Sequence, residues 1–151
     1  MGPVGFTFRC IREHYCKEDN CPKYLQMDGQ EVGFFNVLSL DSDEEVAHVC
    51  EGEIDAITLS QVVSGPVLAL SGVSKWKPHF PYHLTGFDRV VVWADGDKAG
   101  QSMAATFRQH VSNADIVQMP TGEDVNSLFC TKGPDALRAL FEEEEENERV
   151  Q

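Results

Sequence analysis

Four short apolar runs set the pattern of this chain. They are Val46-Ala47-His48-Val49-Cys50, Pro66-Val67-Leu68-Ala69-Leu70, Arg89-Val90-Val91-Val92-Trp93-Ala94 and Ala114-Asp115-Ile116-Val117-Gln118-Met119. Near-continuous runs of this length and β-branched content predict strands buried on both faces of a sheet. Between them the period lengthens. Ile54, Ile57, Leu59, Val62 and Val63 predict a helix near 53–63, and Ala99, Met103 and Phe107, at four-residue spacing, predict another near 98–111. Leu128-Phe129 and then Ala136, Leu137, Leu140 and Phe141 suggest closing helices. Segment 75–87, rich in proline and aromatics, reads as a loop. Strands alternating with helices imply right-handed βαβ units, hence an α/β fold whose four-stranded, mainly parallel sheet is flanked by helices.

The beginning of the chain reads differently. Phe6 to Arg12 alternates like an exposed strand. Residues 17–20 and Met27-Asp28-Gly29-Gln30 read as turns. Gly33 to Leu40 reads as a second strand, so residues 1–43 are expected to form a small β-rich, antiparallel segment. Asp41 to Glu45 is a polar connector to a main domain over 44–141, and 142–151 is an acidic tail.

Two of the predicted strands end in carboxylates. Val46–Cys50 leads into Glu51-Gly-Glu-Ile-Asp55, and Arg89–Ala94 leads into Asp95-Gly-Asp97. In open parallel sheets, ligands bind beyond the carboxyl ends of the strands. These acids should therefore share one rim. Two carboxylates about 4 Å apart repel by roughly 4 kcal/mol at an effective dielectric near 20. Relief comes from protonation through a raised pKa or from a hard divalent cation. An all-oxygen set favours Mg²⁺ or Mn²⁺ over Zn²⁺. Gly52 is read as letting strand turn sharply into helix, Gly96 as allowing a tight bend, and Gly100 as permitting close helix approach. Free amides at the two helix starts would welcome phosphate oxygens. Asp55 has three open roles: metal ligand, orienter of a water, or helix cap. Lys98 either touches a phosphate or sits solvated at the helix start.

Charge narrows the partners. The formal charge of the 151 residues is −13, and setting aside the six acids of 142–148 still leaves −7. Tight unaided binding to a phosphate backbone is not expected of such a chain. Bound metals would supply the positive field, or another protein would hold the nucleic acid. The tail itself reads as a solvated helix end or a disordered solubilising segment. No run reaches the length of a membrane helix and no signal peptide is visible, so a soluble, cytoplasmic protein is expected. The five cysteines are Cys10, Cys16, Cys21, Cys50 and Cys130. An odd number without a secretion signal argues for free thiols. Cys10, His14, Cys16 and Cys21 lie close in sequence, but the Cys-x4-Cys spacing is loose and no second Cys/His pair follows. Zinc binding there is left open.

Glu51-Gly-x-x-Asp55, Asp95-Gly-Asp97-Lys98-Ala99-Gly100 and the intervening Leu70-Ser71-Gly72 resemble the Toprim domain, a Rossmann-like fold shared by DnaG-type primases, topoisomerases, OLD-family nucleases and RecR-like proteins. The likeness is greatest to primases, including the primase part of phage primase-helicases. Gly122-Glu123-Asp124-Val125-Asn126-Ser127-Leu128 resembles the stretch after the fourth strand in those enzymes, and Phe6 to Leu40 resembles the end of their basic subdomain. The resemblance implies Glu51, Asp95 and Asp97 as metal-binding acids, with Asp124 as a further acid near the metals. Glu51, Asp55, Asp95 and Asp97 would form the catalytic set. It makes Arg9, Arg12, Lys23, Lys75 and Lys77 candidate contacts to nucleotide or template, the alternative being a solvated surface. Trp76 and Phe80 would either stack on a base or be buried under the loop.

The resemblance implies a DNA primase catalytic domain or subunit that synthesises RNA primers on single-stranded DNA. It would use nucleoside triphosphates with Mg²⁺ or Mn²⁺, as two ions. A replicative helicase is a further implied partner. The sequence lacks a zinc-ribbon pattern, most of the basic half of a primase and a helicase phosphate loop. Two origins stay open: an excised domain, or one half of a primase divided over two polypeptides, which would need its complementary N-terminal partner. Two other functions are carried alongside, a small metal-dependent Toprim nuclease and a non-catalytic scaffold for a replication partner.

Overall fold

The computed structural model describes residues 5–14, 16, 18–30, 33–70 and 76–149. The chain divides into two compact units, Met1–Val32 and Gly33–Gln151. In the first, strand β1 (Thr7–Arg9) pairs antiparallel with β2 (Tyr24–Gln26), Phe8 standing opposite Leu25.

The second unit is built on β3 (Val46–Cys50), β4 (Val67–Ala69), β5 (Arg89–Ala94) and β6 (Ala114–Gln118), in the spatial order β4-β3-β5-β6 with every pairing parallel. These are the four apolar runs. Ala47, Val49, Leu68 and Val90–Ala94 are buried, as expected of strands covered on both faces. The crossovers are α1 (Glu53–Leu59), α2 (Phe80–Leu84) and α3 (Lys98–His110), followed by α4 (Val125–Lys132) and α5 (Pro134–Arg149). Cys50, Val67, Ala69, Val91, Trp93 and Val117 on one sheet face share a core with Ala56 and Leu59 of α1, Val125 and Leu128 of α4 and Leu137 of α5. Alternate strand residues such as Val49, Val90 and Val92 point the other way. Met103, Ala104 and Phe107 of α3 are buried outside that first core.

Two sequence expectations change. The run Gly33–Leu40 is not a strand. It makes a single bridge, Phe35 to Ala69, and then a 3-10 helix over Val37–Leu40. Asn36 sits between them at φ 60°, a left-handed conformation that ends extension, while its side-chain amide donates to the Val67 carbonyl at 3.0 Å. The strand that pairs with β1 is Tyr24–Gln26 instead. Within 76–87, α2 replaces part of the expected loop, with a proline in its first turn, where a missing N–H costs least.

Burial settles smaller points. Phe80 is fully buried, and the half-buried Trp76 packs its ring against Phe80, Phe107 and His110. Burial thus holds for Phe80, while Trp76 is packed against these rings but keeps part of its surface exposed. The Trp93 indole N–H donates to His48 Nδ1 at 3.1 Å inside the core. Burial, with the Arg89 charge adding to it, holds His48 down at about 4, so its ring is neutral at neutral pH and can accept that bond. The acidic tail is helical as far as Arg149, and Arg89 pairs with both Asp115 and Glu144, tying α5 to the sheet edge. Among the described residues no helix is long and apolar enough to cross a membrane.

The turn after β5 is clamped to the segment after β6. Met119 N–H donates to the Ala94 carbonyl at 2.9 Å, Gly96 N–H to the Glu123 carbonyl at 2.8 Å, and Gly122 N–H to the Gly96 carbonyl at 2.9 Å. A Cβ at residue 96 would lie 1.8 Å from the Pro120 carbonyl oxygen. Backbone cannot yield there as a side chain would. Gly96→Ala is expected to cost about 2–4 kcal/mol in urea unfolding; a loss below about 0.5 kcal/mol would contradict this clamp.

Candidate active site

The end of β3 and the end of β5 are neighbours in register, Cys50 standing beside Trp93. By that register Glu51 falls level with Ala94, and Asp95 follows one residue later. The first residue past each strand is thus an acid, and the two leave adjacent strands one step apart, at the carboxyl edge where the chain turns into α1 and α3. Both are half-buried, and Glu51 Oε2 and Asp95 Oδ1 are shielded from solvent with no hydrogen-bond partner. Buried polar atoms without partners are uncommon, and each calls for a cause.

Electrostatics shows which groups gather here. Burial pushes the Asp95 carboxyl up to about 7, and the charges of Asp55, Glu51, Asp124 and Asp97 push in the same direction. Glu51 is raised by burial, then by Asp97 and Asp55. All five acids singled out in the sequence thus belong to one rim. Behind them the thiol of Cys50, fully buried, is raised by burial and by Asp55 and Asp95.

The acids are not equivalent. Asp97 caps α3, its Oδ1 accepting from the amides of Ala99 and Gly100 at 2.8 and 2.9 Å. Those amides are not free for a phosphate, which corrects the expectation at this helix start. Asp55 is buried, and its Oδ1 accepts from the Asn126 amide at 3.0 Å, joining the first turn of α1 to that of α4. The Thr58 hydroxyl donates to Asn126 Oδ1 across the same junction, also at 3.0 Å. Asp124 caps α4 in a capping box, accepting from the Ser127 amide at 2.6 Å while Ser127 Oγ accepts from the Asp124 amide. Asn126 and Thr58 had no role in the sequence reading. The spacing Asp124-x-x-Ser127 was the available sign that a helix began here.

The glycines have distinct reasons. Gly52 has φ −108° and ψ 153°, extended backbone open to any residue, so no sharp turn demands it. It leaves room for Asp55, whose Oδ2 would lie 2.6 Å from a Cβ there. At Gly100 a Cβ would meet the Asp95 carbonyl oxygen at 2.1 Å, so α3 presses directly on the residue that carries the acid.

The positive candidates divide between the units. Lys98, the first residue of α3, is exposed, as is Lys77; Lys75 lies outside the described residues, as do Ser71 and Gly72. Arg9, Arg12 and Lys23 belong to the N-terminal unit. There the Arg9 guanidinium and the Lys23 ammonium lie 5.5 and 5.8 Å from the centre of the Tyr24 ring.

The donor chemistry of the rim fits a hard divalent cation. Two shielded carboxylate oxygens lack partners, and neighbouring carboxylates oppose their ionisation. Among the described residues no three of these acids bring an oxygen each within 4.8 Å of one another. Mg²⁺ suits such an open set, because it keeps waters and substrate phosphates in its shell.

The family model of the Toprim domain matches residues 46–135, from the start of β3 into α5. The chain belongs to the Toprim family. It is 39% identical over 120 residues to the Gene 57 protein of Mycobacterium phage D29, covering 80% of this chain and 78% of that one. It is 28% identical over 136 residues to the DNA primase of Pseudomonas aeruginosa, covering 80% of this chain but 20% of the primase. The Toprim fold here resembles that of the DnaG primase catalytic domain bound to ssDNA, with a TM-score of 0.69 and 22% identity, over 93% of this chain and 48% of that one. The chain thus spans about half of that catalytic domain. It is a Toprim domain related to the cores of DnaG primases.

Because the folded-state value for Asp95 lies above its ordinary 3.8, its proton stabilises the native form at low pH, and that stabilisation is lost as pH rises through about 7. In chelator, Asp95→Asn is expected to stabilise the protein at pH 8 by about 1–2 kcal/mol after allowance for solvent screening, and far less at pH 4. An equal effect at both values would contradict the electrostatic account.

Proposed function

We propose that this Toprim domain is the metal-binding catalytic part of a DNA primase, synthesising RNA primers on single-stranded DNA from nucleoside triphosphates. The observation that carries this reading is the pair of partnerless carboxylate oxygens, Glu51 Oε2 and Asp95 Oδ1, at the adjoining ends of β3 and β5. In a Toprim fold related to primase cores, such oxygens are suited to divalent metal.

Glu51, Asp95 and Asp97 would hold Mg²⁺ or Mn²⁺, in this reading as two ions. Bound metal would lower the pKa of the primer 3′-hydroxyl and stabilise the departing pyrophosphate. The residues themselves do little covalent chemistry and act by alignment and by fixed charge. Asp97 is held by its own helix start. Asp55 locks α1 to α4 and so fixes the bend that carries Glu51. Asp124 adds negative charge to the rim, and Lys98, exposed as the first residue of α3, would contact a triphosphate. Arg9, Arg12, Lys23, Lys75 and Lys77 supply contacts to template or nucleotide. The acidic charge of the chain favours a second, basic polypeptide or domain to grip the template, with a helicase as a further partner.

A second reading rests on one observation. Glu51 is raised by burial and by neighbouring charge, which suits a general acid or base in a nuclease. Incubation with labelled DNA and Mn²⁺, without nucleotides, separates the two.

Asp95→Ala and Asp97→Ala are expected to lower primer synthesis, assayed with the complementary primase polypeptide, by 100-fold or more, on the order of 3 kcal/mol of transition-state stabilisation. Undiminished synthesis would exclude the metal-holding role. Cleavage without nucleotides that is lost in Glu51→Gln would favour the nuclease.

A further inference from the structure

A second set of metal donors lies in the N-terminal unit, and its chemistry is the opposite of the acidic rim. Cys10, His14, Cys16 and Cys21 each place one donor atom so that all four lie within 4.8 Å of one another. His14 Nε2 is 2.8 Å from Cys21 Sγ and 3.9 Å from Cys10 Sγ. In a tetrahedral zinc site with Zn–S about 2.3 Å and Zn–N about 2.0–2.1 Å, neighbouring donors stand about 3.4–3.8 Å apart. Four half-buried donors at these separations need only small movements to close on an ion. Three thiols and one imidazole form a usual structural zinc set, and soft sulfur selects against Mg²⁺.

The backbone already shapes the loop. Cys10 N–H donates to the Lys23 carbonyl at 2.9 Å, extending the β1–β2 pairing by a step. Cys21 N–H donates to the Cys16 carbonyl at 2.9 Å, and His14 N–H to the Arg12 carbonyl at 2.9 Å. All four donors thus lie on the stretch that joins β1 to β2, whose two ends are held together by the Cys10–Lys23 bond.

The unit also needs a staple. Among its described residues none is buried, and Phe6, Phe8, Ile11, Leu25 and Met27 are all at least half exposed. A segment of this size without an apolar core does not hold its shape unaided; metals or disulfides usually supply the difference. All three cysteines are free thiols. Charge is favourable too. Zn²⁺ with three thiolates and a neutral imidazole carries a net charge of −1, and Arg9, Arg12 and Lys23 line the same cavity.

We propose that Cys10, His14, Cys16 and Cys21 form a structural Zn²⁺ site that folds the N-terminal unit. The spacing Cys-x3-His-x-Cys-x4-Cys is tighter than a two-pair ribbon, because a single hairpin loop delivers all four donors. The site is independent of the acidic rim and of the primase reading.

The test uses the full chain, purified in reductant and exchanged to remove loosely held metal. One zinc per chain is expected by elemental analysis, falling to about a tenth or less in the double variant Cys16→Ser/Cys21→Ser and unchanged in Cys130→Ser. Cobalt(II) loaded in place of zinc should show tetrahedral bands with sulfur-to-metal charge transfer. That readout works on the wild-type protein even if the double variant does not fold. His14→Cys, which keeps four soft donors, should retain the metal. The proposal is overturned by a wild-type chain without zinc, by zinc that persists in the double variant, by octahedral cobalt bands, or by a disulfide among the three cysteines in the reduced preparation.

Discussion

Mutual repulsion among carboxylates is the constraint on which the rest of this structure depends. Five acids from three segments meet at the carboxyl edge of a parallel sheet, where burial weakens the screening that water would provide. The arrangement opposes its own ionisation: burial first, and then the neighbouring charges, push Asp95 up to about 7. Such a cost persists only where the surroundings fix it. Parallel pairing of β3 with β5 brings the ends of the two strands together, so Glu51 and Asp95, the first residues past them, emerge on the same edge one step apart. Gly96 lets the segment after β6 cross the Asp-Gly-Asp turn at backbone distance, and Gly100 lets α3 press on Asp95. The two acids with unpartnered oxygens directly follow the strands, while Asp55, Asp97 and Asp124 also hold backbone amides. Structure and charge are thus divided among the acids. Three anchor the frame and two present unused oxygens.

The molecule brings together hard and soft donors without mixing them. Oxygen ligands line the sheet edge of the Toprim unit, and sulfur and imidazole ligands line the hairpin loop of the other unit. Donor softness alone would sort Mg²⁺ or Mn²⁺ to the first and zinc to the second. Metal at the first would serve chemistry; metal at the second would serve folding.

Much of this was legible in the sequence, for reasons that can be named. The four sheet strands were visible because strands covered on both faces must be apolar nearly throughout. The convergence of Glu51, Asp55, Asp95 and Asp97 followed from strand ends in a parallel sheet. Other features were hidden. Tyr24–Gln26 is a three-residue exposed strand with no burial pattern to advertise it. Gly33–Leu40 imitates a strand in composition, and one left-handed asparagine redirects it. The engagement of α3's first amides by Asp97 depends on a side-chain rotamer that spacing does not specify. The Cys/His group stayed open on its spacing, because backbone hydrogen bonds within the β1–β2 connection bring together donors that sequence distance alone does not.

The central claim is that the partnerless oxygens of Glu51 and Asp95 exist to meet a divalent cation. Anomalous scattering from crystals soaked in Mn²⁺ tests it most directly. The account predicts a peak at a coordination distance of about 2.1–2.3 Å from Glu51 Oε2 and Asp95 Oδ1. No peak, with both oxygens instead bonded to protein groups or turned into bulk water, would contradict it.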